Sequence, residues 1–128
     1  MENAVSWFEI PVNDYARAKQ FYETIFAATF SELQAGETGH RLALFPVDFT
    51  QGVGGALAFG QGYKTASDQL AGVKVYLNGG DDLGTVLNRV EAAGGRVAVP
   101  KTHIAEGFGY MGAFIDTEGN WIGLRSIS

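Results

Sequence analysis

Glu9, Lys74 and Arg125 are three charged residues with aromatic neighbours at short, even spacings. Trp7 stands two before Glu9, Tyr76 two after Lys74 and Trp121 four before Arg125. A carboxylate serves as a general base or a hydrogen-bond acceptor, and ammonium and guanidinium groups hold anions. Indole and phenol rings wall small-molecule pockets. Glu9 is therefore the candidate catalytic residue, and Trp7, Lys74, Tyr76, Trp121 and Arg125 are the candidate ligand-binding set. A Glu9–Lys74 ion pair is the plain alternative, in which desolvation offsets attraction.

Other chemistries are poorly supplied. The chain has no cysteine, which excludes disulfides, thiolate metal sites and thiol nucleophiles. Of the two histidines, His40 reads as part of a Gly-rich turn and His103 as part of a loop after Pro100-Lys101. No Gly-x-Ser-x-Gly elbow is present. Gly55 to Gly60 has the spacing of a phosphate loop, but Gln61 stands where lysine is needed. Asp116 and Glu118 read as turn formers in Asp116-Thr-Glu-Gly119.

The elements that must position these residues follow from periodicity. In 5–12, Phe8, Ile10 and Val12 share one face of a strand and Trp7, Glu9 and Pro11 the other. After Asn13-Asp14, the stripe Ala18, Phe21, Tyr22, Ile25 predicts a helix of about three turns. Strand-like runs follow at 28–32, 41–47 and 55–59. The pattern then restarts. Val73, Val75 and Leu77 alternate with Gly72, Lys74 and Tyr76. Asp81-Asp82 opens a second helix with the stripe Leu83, Val86, Leu87, Val90, and Gly94-Gly95 stops it. Strands are expected at 96–99, 110–116 and 121–127. The chain reads as βαβββ written twice, an α+β fold with modules of about 1–65 and 66–128 in one domain. Val12 is matched with Leu77, with a three-residue insertion near Gly79-Gly80-Asp81.

One helix covers one face of a four-stranded sheet. The same alternation sends Trp7, Glu9, Lys74, Tyr76, Trp121 and Arg125 to the uncovered, concave face. That face is a pocket, a dimer interface or a solvated surface, and two tryptophans on it favour the pocket.

Composition bounds the partners. A formal charge of −5 over 128 residues disfavours nucleic acid. No apolar run approaches the roughly 18 residues of a membrane span, and Met1-Glu2-Asn3 starts no cleavable signal. The expectation is a soluble, cytoplasmic chain. Eighteen glycines, about twice the usual ~7%, point to tight turns and close strand packing.

Four ordered motifs carry a family resemblance: Phe8-Glu-Ile-Pro-Val-Asn-Asp14, Arg17-Ala-Lys-Gln-Phe-Tyr22, Leu83 to Gly95, and Phe114-Ile-Asp-Thr-Glu-Gly-Asn-Trp-Ile-Gly-Leu124. On these the chain resembles the vicinal oxygen chelate superfamily, which includes glyoxalases, bleomycin-resistance proteins and extradiol dioxygenases. The resemblance implies paired βαβββ modules forming a curved mixed sheet, a cup with helices on its outer face, often in a homodimer. It also implies divalent-metal ligands at four cup-facing positions. Here those positions fall on Trp7, Ala56, Gly72 and Gly123, and none offers a carboxylate or imidazole donor. The expectation is a protein with no metal or cofactor that binds a small organic molecule in the cup. It is either a lyase- or isomerase-like enzyme related to lactoylglutathione lyase and using Glu9, or a non-catalytic binder that sequesters its ligand. A metal glyoxalase with unusual ligands is the third reading.

Overall fold

The computed structural model describes residues 3–35, 39–65 and 73–128. The first module is β1 (Trp7–Pro11), α1 (Tyr15–Phe26), β2 (Ser31–Ala35), β3 (His40–Leu44) and β4 (Gly54–Phe59). The second is β5 (Tyr76–Asn78), α2 (Leu83–Val90), β6 (Arg96–Ala105), β7 (Gly109–Ile115) and β8 (Trp121–Ser126). Each forms a four-stranded mixed sheet, in the orders β1-β4-β3-β2 and β5-β8-β7-β6. The α+β architecture of two βαβββ modules is as the periodicity predicts.

The helices begin where side-chain oxygens satisfy orphan amides. Asp14 accepts from the Arg17 backbone N–H at 3.0 Å, and Asp82 from that of Gly84 at 2.8 Å. The expected stripes are the buried ones: Ala18, Phe21, Tyr22 and Ile25 on α1, and Leu83, Val86, Leu87 and Val90 on α2. α1 stops at Ala27, whose φ of 51° is left-handed. The Ala28 N–H returns to the Glu23 carbonyl, and the Phe30 N–H to the Glu23 side chain. This termination occupies residues 27–30, so β2 starts at Ser31 rather than at 28.

The modules share one core. Ile10, Val12 and Leu57 join Leu77, Phe114, Ile122 and Leu124 in a single buried apolar cluster under both helices. The Phe21 ring lies 5.7 Å from that of Phe114 on the other module's sheet. Burying each such aromatic removes apolar surface worth roughly 1.5–3 kcal/mol, so neither half keeps its full core without the other.

Ladder registers correct the internal alignment. Ile10 pairs with Leu57 and Leu77 with Leu124. The Val12 N–H donates to Ala58 O, and the Gly79 N–H donates to Arg125 O. Val12 is thus the counterpart of Gly79, not of Leu77. Glu9 corresponds to Tyr76 and Trp7 to Lys74. One residue, not three, is inserted before α2. A two-residue slip leaves period-two alternation unchanged, so face parity survived the mistaken match.

Other boundaries also moved. β3 ends at Leu44 rather than at 47. β5 is only Tyr76–Asn78, and Val73, expected under the helix, is fully exposed. β6 runs ten residues to Ala105, with register shifts. His103 is therefore a strand residue opposite Tyr110, not a loop residue.

The Asp116–Gly119 turn is present, with Gly119 at φ 88°, but its acids do more than form it. Both are buried. One Glu118 oxygen accepts the backbone N–H groups of Asn13 and Asp14 at 2.9 and 2.7 Å, and Arg17 grips both oxygens at 2.8 and 3.0 Å. Burial opposes the Glu118 charge. The hydrogen bonds from Arg17, Thr117, Asp14 and Asn13 together outweigh it and hold the carboxyl below its ordinary value. Asp116 accepts the Tyr22 hydroxyl at 2.7 Å. Burial dominates there and raises its pKa against the hydrogen bonds from Asn120 and Tyr22. The same burial, with the nearby Asp116 charge, pushes the Tyr22 phenol well up.

Candidate functional site

A cleft of about 420 Å³ lies where β1 faces the segment before β5 and the start of β8. Alternation puts Phe8 and Ile10 toward the core and Trp7, Glu9 and Pro11 toward the open side. Trp7, Glu9, Lys74 and Trp121 all line the cleft, together with Pro11, Asn120 and the core-side Phe8, Ile10 and Ile122. These four were expected on one face, and they are together.

Glu9 is exposed, and both its oxygens accept hydrogen bonds. Tyr63 donates to Oε1 at 2.6 Å, and the Trp7 indole Nε1–H donates to Oε2 at 3.2 Å. The hydrogen bond to Glu9 raises the Tyr63 pKa above its ordinary value. Tyr63 covers a small apolar patch of Leu42, Ala56 and Ala58 on the open face of the first sheet. Phe49 packs on Trp7 with centroids 5.7 Å apart.

Tyr76 and Arg125 are on the expected face but in an adjoining hollow of about 380 Å³. Tyr76 packs edge-on against Trp121, centroids 5.9 Å apart, at the divide between the two spaces. Its ring lies over Gly123, where any Cβ would collide with it. Phe49 lies over Gly54 in the same way on the first sheet.

Tyr63, Phe49 and Asn120 were not singled out from sequence. Tyr63 follows Gly60-Gln-Gly62, and positive φ at both glycines turns the chain back over the sheet. That glycine pair is the one local signal, and it names no partner. Asn120 follows the Asp116–Gly119 turn, and its type alone names no partner.

The family's metal positions were tested against the donors present. Trp7, Ala56 and Gly123 carry no metal-binding atom, and Gly72 lies outside the described residues. Lys74, which the ladders make the counterpart of Trp7, has an ammonium group. No group of three His, Cys, Asp or Glu residues able to hold a metal occurs among the described residues. His40 stacks edge-on against Tyr63 and shares a hydrogen bond with the Gln61 carbonyl, and His103 is exposed on β6. This donor set does not fit a divalent ion. Among the described residues no helix is long and apolar enough to cross a membrane.

The structure is similar to a glyoxalase I variant from Zea mays, with a TM-score of 0.71 and 18% identity over 94% of this chain and 45% of that one. The chain thus spans less than half the length of that protein. It is similar to a FosX fosfomycin resistance protein variant from Listeria monocytogenes, crystallised with Mn(II) and a dihydroxypropylphosphonic acid. There the TM-score is 0.66 and the identity 16%, over 100% of this chain and 93% of that one. TnmS3, an antibiotic binding protein from Streptomyces sp. CB03234, is 26% identical with a TM-score of 0.61, over 98% of this chain and 97% of that one. A search of curated proteins found no significant match. The model of the Glyoxalase/Bleomycin resistance protein/Dioxygenase superfamily matches residues 4–124, and the chain belongs to that superfamily.

Proposed function

We propose that this chain, acting as one domain and as a homodimer in the cytoplasm, binds a small aromatic molecule in the Trp7–Trp121 cleft without a metal and releases it unchanged. The observation that carries this reading is the cleft itself. Two indoles, a carboxylate and an ammonium line a space of about 420 Å³, and the family's coordinating positions hold side chains without donors. An aromatic guest burying about 200 Å² of apolar surface gains about 5 kcal/mol at 25 cal/mol/Å². Contact with an indole adds ~1 kcal/mol, and the cost of immobilising the guest is set against this sum. Glu9 accepts a hydrogen bond from a hydroxyl or ammonium on the guest. The likeness to an antibiotic binding protein over nearly the full length of both chains supports sequestration.

The chain has two tryptophans, and both line the cleft. Their emission therefore reports occupancy. Titration with 1-naphthol and 1-hydroxypyrene is expected to quench it saturably, with both probes recovered intact by mass spectrometry. An absence of saturable quenching by either probe overturns the binding reading.

The second reading is a lyase- or isomerase-like reaction with Glu9 as base. The phenol of Tyr63, 2.6 Å from Glu9, favours it by providing a group that holds the carboxylate in one orientation. The likeness to an antibiotic binding protein, nearly full length in both chains, makes binding the stronger reading.

A further inference from the structure

Building on the binding reading, we propose that Asn120 is a positioning residue that sets the width of the cleft and so the size of guest it admits. The two walls belong to different sheets, and no ladder joins β1 to β8. Asn120 spans them. Its Nδ2 donates to the Pro11 carbonyl on β1 at 2.9 Å and to Asp116 Oδ2 at 2.9 Å. Its own backbone is anchored on the same acid: the N–H donates to Asp116 Oδ1 at 2.8 Å, and the carbonyl accepts from the Asp116 N–H at 2.9 Å. Asp116 is in turn held by the hydroxyl of Tyr22 on α1.

The geometry makes this a strap rather than a generic turn contact. Asn120 is only 9% exposed, yet it lines the cleft and precedes Trp121 in the far wall. Pro11 lies on the same strand face as Trp7 and Glu9 in the near wall. Both amide protons are used in different directions, one toward each side of the seam. An ionised aspartate has no proton to donate and would set a second charge against Asp116. A serine has one donor and cannot reach both acceptors. Without the amide, Pro11 loses its direct hydrogen bond to the β7–β8 turn, which leaves the Glu118 contacts with Asn13, Asp14 and Arg17 to tie that turn to the end of the first strand.

The test compares Asn120→Ser with Arg17→Met, which loosens the same turn through Glu118 without touching the cleft. For Asn120→Ser, 1-naphthol is expected to bind about tenfold more weakly while 1-hydroxypyrene changes by less than about threefold. Arg17→Met should lower the thermal midpoint and leave the ratio of the two constants unchanged. Equal weakening of both probes by Asn120→Ser, or an unchanged ratio, overturns the strap.

A second measurement works in the empty protein. In a Trp7→Phe background, acrylamide quenching of Trp121 should rise with Asn120→Ser and not with Arg17→Met; equal quenching in the two variants overturns the proposal. If the wild type binds neither probe, the binding reading fails, and the acrylamide result alone decides whether the strap exists.

Discussion

Tyr63 reaches back across 54 positions to donate a 2.6 Å hydrogen bond to Glu9. The charged end of the cleft is therefore held by a residue from a turn that no local pattern ties to β1. Glu9 raises the Tyr63 pKa through that bond, so Glu9→Gln should return the phenol toward its ordinary range. The measurement is a spectrophotometric titration read as the difference from Tyr63→Phe. Tyr63→Phe should also cost about 1 kcal/mol in urea unfolding. An unshifted phenol in the wild type would count against the contact.

Acid should weaken the protein partly through Glu118. Its folded pKa is lowered, so its contribution is present above the unfolded value and is lost as pH falls through the folded one. Asp116 has the opposite sign. Its folded pKa is raised, so it opposes folding when ionised and relieves that cost as pH falls. Glu118→Gln should lose roughly 2–3 kcal/mol at neutral pH, because a buried charge-assisted network is broken, and should flatten the acid limb of stability against pH. A variant with an unchanged acid limb would remove Glu118 from the account.

Protein purified without chelator should contain no stoichiometric nickel, zinc or manganese. Adding these ions at millimolar concentration should leave the thermal midpoint unmoved, because a ligand that binds only the folded state raises it. Elemental analysis together with a thermal scan decides this. One bound equivalent with a raised midpoint would require a donor set other than the four strand positions.

On the proposed homodimer reading, the protein should sediment at about twice 13.7 kDa at micromolar concentration. Trp7, Leu33, Phe49 and Tyr76 are each at least 40% exposed, and such apolar surface favours association. A monomer across the micromolar range would end the dimer proposal.

Alternation and helical stripes were enough to write both helices, the two βαβββ modules and the strand faces carrying Trp7, Glu9, Lys74 and Trp121. Those properties depend on neighbours two to four residues away, where periodicity is informative. The ladders decided that Tyr76, not Lys74, corresponds to Glu9, since a shift of two preserves every face. Tertiary packing placed Arg125 and Tyr76 in a separate hollow, brought Tyr63 to Glu9, turned Asp116 and Glu118 from turn formers into buried ties between modules, and added Asn120 to them. Those partners lie tens of residues apart, beyond the reach of periodicity, and burial makes the hydrogen bonds of Asp116, Glu118 and Asn120 obligatory. Chain periodicity tells a side chain which way to face; only the closed core determines what it meets there.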